Sequence, residues 1–265
     1  MPELPEVEAY RRRAEAALVG RRIVGVAAAA DRIVYQGVAP RRFAAVLRGR
    51  RVVAAHRRGK YLWLELDRRP WPLFHFGMTG NVHAYAERRD RPRFWKVELA
   101  LEDGTRWAMT NKRRLGRIRL QEDPAAEDPV RRLGFDPLLD PLPLRRLAAR
   151  LAGRAAPIKA LLLDQGFAAG VGNWVADEVL FQARIAPRRR ACDLTPAEAR
   201  RLRETLRRVV RRAVRVEADS DRFPRTWLFH RRWGRDPDAV TAAGDPIVFD
   251  AIAGRTTAWV PAVQR

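Results

Sequence analysis

The chain has 265 residues, with 53 Lys and Arg against 31 Asp and Glu, a formal charge of +22. That balance excludes an acidic or neutral small-molecule enzyme as the default reading and points to a polyanionic partner, nucleic acid first. With 47% hydrophobic residues the chain can bury a substantial core, so it is a globular protein and not a basic tail. Cys192 is the only cysteine, which excludes a disulfide framework and a thiolate zinc cage. No apolar run approaches the roughly 18 residues of a spanning helix. Glu3, Glu6 and Glu8 stand where a signal peptide would be positive, so a soluble protein of a reducing, intracellular compartment is expected.

In chain order, the first segment reads as a helix. Pro5 sits in its first turn, Val7, Tyr10, Ala14 and Leu18 recur at helical spacing, and Gly20 closes it. Strand patterns follow at Ile23 to Ala27, at Tyr61 to Leu66 and at Lys96 to Leu101. Asp103-Gly104 ahead of Arg106 to Met109 signals a hairpin. The region to about Leu120 is therefore mostly antiparallel β behind one helix. Prolines 124, 129, 137, 141 and 143 then mark a boundary. Beyond them, Leu147 and Leu151 belong to one helix, and Ile158, Leu161 and Leu162 to the next. Thr195-Pro196-Ala197-Glu198 is a capping box. It opens a long helix with Leu202, Leu206, Val209, Val210, Ala213 and Val214 on one face and arginine over most of the rest. The chain ends in a predicted hairpin, Ile247 to Ile252 and Arg255 to Val260, turning at Ala253-Gly254.

Three groups of residues carry possible chemistry. Once Met1 is removed, Pro2 presents a secondary amine, which titrates near ~8 and is partly nucleophilic at neutral pH. Such an amine forms an iminium with a sugar aldehyde or C1′, and Glu3 beside it can supply a proton while Glu6, nearly one turn on, positions it. The same residues also read as a prolyl start with first-turn carboxylates that complement the helix dipole. Secondly, only Lys60, Lys96, Lys112 and Lys159 among the basic residues are lysines, against a background of arginine that base bias explains. A lysine kept in that background supplies a compact point donor that a guanidinium does not, although Lys60, in a turn, also reads as a phosphate-binding or solvated residue. Thirdly, Gly166 to Asn173 follows a helical segment rather than a strand, so it is no Rossmann loop. It reads equally as a structural helical hairpin or as a helix N-terminus that seats a phosphate.

The opening Met1-Pro2-Glu3-Leu4-Pro5-Glu6-Val7-Glu8 resembles that of the formamidopyrimidine-DNA glycosylase and endonuclease VIII-like family, base-excision enzymes that act on oxidised bases. The resemblance continues in order. Arg57 to Leu62 is similar to the family's lysine-bearing turn, Phe74 to Gly80 to its intercalation loop, and Gly170 to Asn173 to its helix-two-turns-helix motif. Gly254-Arg255-Thr256-Thr257 is similar to its finger tip. Leu161 to Gly166 and the ending Gly254 to Gln264 resemble the plant and fungal branch most closely. The resemblance implies an α+β protein: an N-terminal antiparallel β-sandwich with a leading helix over 1–136, a helix-two-turns-helix DNA-binding domain over 137–222, and a finger β-hairpin over 223–265. Where most bacterial relatives carry four zinc-binding cysteines, Val260 and Val263 flank Pro261-Ala262, so the implied finger is zincless and no metal or cofactor is expected.

Carried over by residue, the resemblance makes Pro2 the Schiff-base nucleophile and Glu3 the acid/base, and matches Lys60 to the family lysine that contacts the lesion strand near the target, with Glu6 keeping the positioning role read above. It makes His75, Asn173 and Arg255 a phosphate clamp. Met78, Arg113 and Leu115 become the wedge that fills the gap left by a flipped base. The family's formamidopyrimidine branch more often has Phe where Leu115 stands, which weakens stacking. The stretch from Asp219 to Trp227 is short beside bacterial members that cap flipped 8-oxoguanine, which shifts the expected substrates toward formamidopyrimidines and hydantoins. The implied protein is a monomer on damaged duplex DNA, lying between its domains, with glycosylase and β,δ-elimination activity. A non-catalytic nucleic-acid-binding protein of the same fold is the alternative, and an enzyme confined to abasic or single-stranded substrates is a second.

Overall fold

The computed structural model describes residues 2–265; Met1, and with it the expected loss of that residue, lies outside them. The chain divides into two units, Pro2 with Glu6–Arg132 and Glu3–Pro5 with Leu133–Arg265.

The first unit takes α1 (Leu4–Leu18) from Glu6 onward, followed by β1 (Ile23–Ala28), α2 (Pro40–Leu47), β2 (Val52–Arg58), β3 (Tyr61–Leu66), β4 (Trp71–His75), β5 (Gly80–Tyr85), β6 (Trp95–Leu101), β7 (Arg106–Asn111) and β8 (Arg117–Gln121). The strands form two four-stranded antiparallel sheets, ordered β1-β6-β7-β5 and β2-β3-β4-β8. Their apolar faces share one core: Val97, Leu99, Trp107 and Met109 from one sheet, Leu62, Leu64, Phe74 and Ile118 from the other. The helical repeat of α1 delivers Val7, Tyr10, Ala14 and Leu18 to the same core, and α2 adds Phe43 and Leu47. The expected Asp103-Gly104 turn joins β6 to β7, with Gly104 at φ +87° and the Asp103 carboxylate accepting from the Thr105 N–H.

The second unit contains α3 (Leu144–Ala152), α4 (Ile158–Leu163), α5 (Asn173–Ala183), α6 (Pro196–Arg215) and the hairpin β9 (Val248–Ile252) and β10 (Arg255–Trp259). The Thr195 capping box forms as the sequence predicts: its hydroxyl accepts from Glu198 N while the Glu198 carboxylate accepts from Thr195 N. Leu202, Leu206, Val209, Val210 and Ala213 of α6 pack with Trp174, Val175, Val179 and Leu180 of α5. The boundary expected at 136 falls after Arg132 instead. Gly134 N–H donates to the Gln165 carbonyl, Ala169 N–H donates to that of Phe135, and Phe135 packs edge-on against Phe167, which ties residues 133–136 to the helices. Residues 223–265 are likewise no separate unit. Phe223 and Trp227 belong to the helical core, and the hairpin adds a small cluster of Leu228, Ile247, Ala258 and Val260.

Candidate active site and nucleic-acid interface

Glu3 is buried at the N-terminal end of α5. Its two carboxylate oxygens accept from the amides of Trp174 (2.9 Å) and Val175 (3.1 Å), the unsatisfied donors of a helix first turn, where negative charge is favoured. Gly172 makes room for it: a Cβ there would stand 2.3 Å from the Glu3 carboxyl carbon. The Gly-rich segment is thus a seat for a carboxylate as well as a turn, and Trp174, Val175 and Gly172 are positioning residues that the sequence reading missed. Glu6, expected to position Glu3, is half-buried in the first turn of α1.

Lys60 and Gly59 form the two-residue turn between β2 and β3, with Gly59 at φ +55°. Arg57 fixes this turn to α1, its side chain fully buried: it donates to Glu8 (2.9 Å) and to the Gly59 carbonyl (3.0 Å). Glu8 therefore serves the site through Arg57, a coupling invisible in a sequence where the two lie 49 residues apart. His75 sits opposite Tyr61 on β4, ring centroids 4.8 Å apart.

Burial, then the charges of Lys60, Arg117 and Arg119, pushes the His75 pKa down to about 4. The Gly77 N–H donates to Nδ1 (3.3 Å), so the neutral ring keeps its proton on Nε2. His75 can thus offer a phosphate one neutral donor at pH 7 and no positive charge. Because an unfolded histidine titrates near ~6.5, the unfolded chain takes up this proton first as the pH falls. The contribution of neutral His75 to stability is complete above that value and is lost as the pH drops through about 4. Between these limits wild-type protein is expected to lose up to about 1.4 kcal/mol per pH unit more than His75→Asn, measured by denaturant melts. Equal slopes would show that His75 is not held neutral.

The residues expected to form the wedge come from two loops of the first unit. Met78 is half-buried between β4 and β5, while Arg113 and Leu115 are exposed between β7 and β8. Buried Asn111 holds the loops together: its Nδ2 donates to the Phe76 carbonyl (2.7 Å) and its Oδ1 accepts from Gly116 N (3.1 Å). Arg113 N donates to Thr79 Oγ1 (3.2 Å), and Gly77 lies so close to Leu115 that a Cβ would meet its carbonyl carbon at 2.5 Å. Asn111 had no sequence signal beyond its place at a strand end. Asn111→Ala is expected to cost about 1–3 kcal/mol through the backbone groups it leaves unpaired. It should also slow release of a damaged base more than processing of a preformed abasic site, as read in single-turnover assays. Equal slowing of both would detach Asn111 from the wedge.

In the second unit Asn173 opens α5, and its Nδ2 donates to the Thr256 carbonyl (2.8 Å), next to exposed Arg255. The structure so brings together two of the three expected clamp residues, Asn173 and the finger tip. The tip turns at Ala253 (φ +50°) and Gly254 (φ +68°), a two-residue turn with both central residues left-handed. Beneath it lies a buried ionic cluster. Asp177 of α5 meets Lys159 of α4 at 2.6 Å and Arg232 at 2.6 Å, and accepts from the β10 amide of Ala258 (3.1 Å). Lys159 also donates to Thr257 Oγ1 (2.8 Å) and to the Thr256 carbonyl (3.1 Å). The donors around the hairpin do not fit the zinc that four-cysteine fingers bind: Val260 is fully buried among Leu228, Ile247 and Ala258, and no thiolate is present. Apolar packing and the Lys159–Asp177–Arg232 cluster occupy that structural role.

A model of the formamidopyrimidine-DNA glycosylase N-terminal domain matches residues 1–118, and one of the formamidopyrimidine-DNA glycosylase H2TH domain matches residues 133–224. The chain belongs to the formamidopyrimidine-DNA glycosylase family, DNA glycosylases that repair damaged bases. A formamidopyrimidine-DNA glycosylase of Arabidopsis thaliana is 40% identical over 278 residues, spanning all of this chain and 71% of that protein. One from Thermus thermophilus is 36% identical over 276 residues, spanning all of this chain and 98% of its own. Among solved structures, a mutant of the Lactococcus lactis enzyme with a Fapy-dG containing DNA matches with a TM-score of 0.87 at 25% identity over the whole of both chains. The same enzyme non-covalently bound to an AP-site-containing DNA gives 0.85 at 23% identity over 99% of each chain. The plant resemblance read from the sequence agrees with the Arabidopsis match, and among the described residues no helix is long and apolar enough to cross a membrane.

Proposed function

We propose that this protein excises oxidised bases, formamidopyrimidines and hydantoins foremost and 8-oxoguanine more weakly, from duplex DNA, and then cleaves the abasic site. The observation that carries the reading is the Glu3 carboxylate, seated on the first-turn amides of α5 immediately after Pro2. The Pro2 nitrogen lone pair attacks C1′ of the damaged nucleotide. The N–C1′ bond forms as the glycosidic bond breaks, and the base leaves with that electron pair and takes up a proton. The Pro2 N–H proton passes to the Glu3 carboxylate, which delivers it to the ring oxygen as the C1′–O4′ bond breaks and the nitrogen lone pair closes the iminium between Pro2 and C1′. Loss of a proton from C2′ then expels the 3′-phosphate, a second elimination expels the 5′-phosphate, and water hydrolyses the iminium to free Pro2. Lys60, His75, Asn173 and Arg255 hold phosphates of the lesion strand, and Met78, Arg113 and Leu115 fill the gap opposite the estranged base.

The test is borohydride trapping. Purified protein incubated with a formamidopyrimidine or abasic duplex and sodium borohydride should give a covalent adduct at its N-terminus, absent with undamaged DNA and in Pro2→Gly. No adduct from folded, DNA-binding protein that has lost Met1 would withdraw the roles of Pro2 and Glu3.

A further inference from the structure

The outer face of α6 is not needed by the chemistry above, and it is strongly cationic. With Trp227 as part of its floor, it borders a groove of 540 Å³ lined by Arg207, Arg208, Arg211, Arg212 and Arg215, with Glu204 the only acid. Among the described residues none of these five guanidinium groups lies within 4.0 Å of a carboxylate, unlike Arg189 and Arg190, which pair with Glu198 and Asp193. Arg208 donates only to Gln182 and Thr205, both neutral, and the Arg207 Nε is buried without a hydrogen-bond partner. An ordinary solvated helix face does not bury an unpaired guanidinium nitrogen in a concave wall.

The groove also lies away from the clamp. Gln182 on its wall is nine residues along α5 from Asn173, about 13 Å of helix rise. Trp227 is 7% exposed and stacked on Trp174, so the groove offers guanidinium groups and no platform for a base. That is the chemistry of backbone phosphates rather than of sequence or of single strands. Arg207 to Arg215 run about 12 Å along the helix, the span of three to four phosphates of one strand at roughly 3.4 Å each.

We infer that the α6 groove is a second, sequence-independent binding surface for duplex DNA, which grips a neighbouring segment while the first occupies the site around Asn173 and Arg255. A protein so equipped passes directly from one duplex to another without a free intermediate. This goes beyond the excision reading and is tested by binding alone, while adduct formation on the same preparation reports the excision reading separately.

The experiment follows release of a labelled abasic duplex against rising concentrations of an unlabelled, undamaged duplex. Wild-type release should quicken in proportion to the competitor. In the combined variant Arg208→Gln, Arg211→Gln, Arg212→Gln and Arg215→Gln release should become independent of it, with single-turnover excision on a short duplex unchanged. The four corresponding Arg→Lys changes should restore the dependence. The wild-type transfer rate should itself fall with salt with an exponent of about 3–4, at roughly 0.9 per phosphate contact. Wild-type release that ignores competitor, or equal dependence in the Gln variant, would reduce the groove to a solvated face and overturn the inference.

Discussion

Glu3→Gln should lower the rate of base release by about 10²–10⁴-fold, the range for removing a positioned general acid, with little change in DNA affinity. The amide oxygen still accepts from one of the two α5 amides, while the other amide then faces an NH2 group and loses its acceptor. The protein should therefore remain folded at a cost of about 1–3 kcal/mol. Gly172→Ala provides the complementary test, because it keeps the carboxylate and fills its seat: the new Cβ would press on the Glu3 side chain, which must move. It too should depress base release, by misplacing the acid rather than deleting it. Full activity in both variants would mean that another group protonates the sugar.

Asp177→Asn should be the most destabilising single change in the second unit. It leaves Lys159 and Arg232, both buried, without the charge they share, at a cost of about 3–5 kcal/mol and a fall of roughly 10 °C in melting temperature. The loss should reach the interface as well. Asp177 and Lys159 hold the β10 backbone at Ala258 and Thr256, beside the tip that carries Arg255. DNA affinity measured below the melting range should therefore fall, with a smaller salt dependence. Replacing the trio together by Lys159→Met, Asp177→Leu and Arg232→Met should recover much of the stability, because no buried charge is then left unpaired. Wild-type melting in Asp177→Asn would show that apolar packing alone holds the hairpin.

What the sequence made legible is what repeats or caps locally. The α6 stripe, the Thr195 box, the β3 alternation and the turns at Asp103-Gly104 and Ala253-Gly254 each announce themselves within a few residues. Short α2 and buried β4 do not, since eight and five residues carry too little periodicity. The candidate site was legible as a set of residue types. Its supports were not, because they join distant parts of the chain. Glu3 meets amides 171 and 172 residues away, and Lys159 meets Thr257 across 98. Lys159 drew notice only as one of four lysines, and its burial against Asp177 has no local signature.

The way the finger hairpin is held bears on when this protein can work. Oxidised bases accumulate when oxidants do, and those are the conditions in which thiolates are converted to disulfides and sulfinic acids and metal ions are released. A hairpin fastened by a carboxylate, an ammonium, a guanidinium and a few aliphatic side chains contains nothing that peroxide attacks and nothing that a chelator extracts. The lone thiol, Cys192, lies in a short turn at Ala191–Asp193, outside that fastening. The finger of this repair protein is therefore held by groups that oxidants and chelators leave intact.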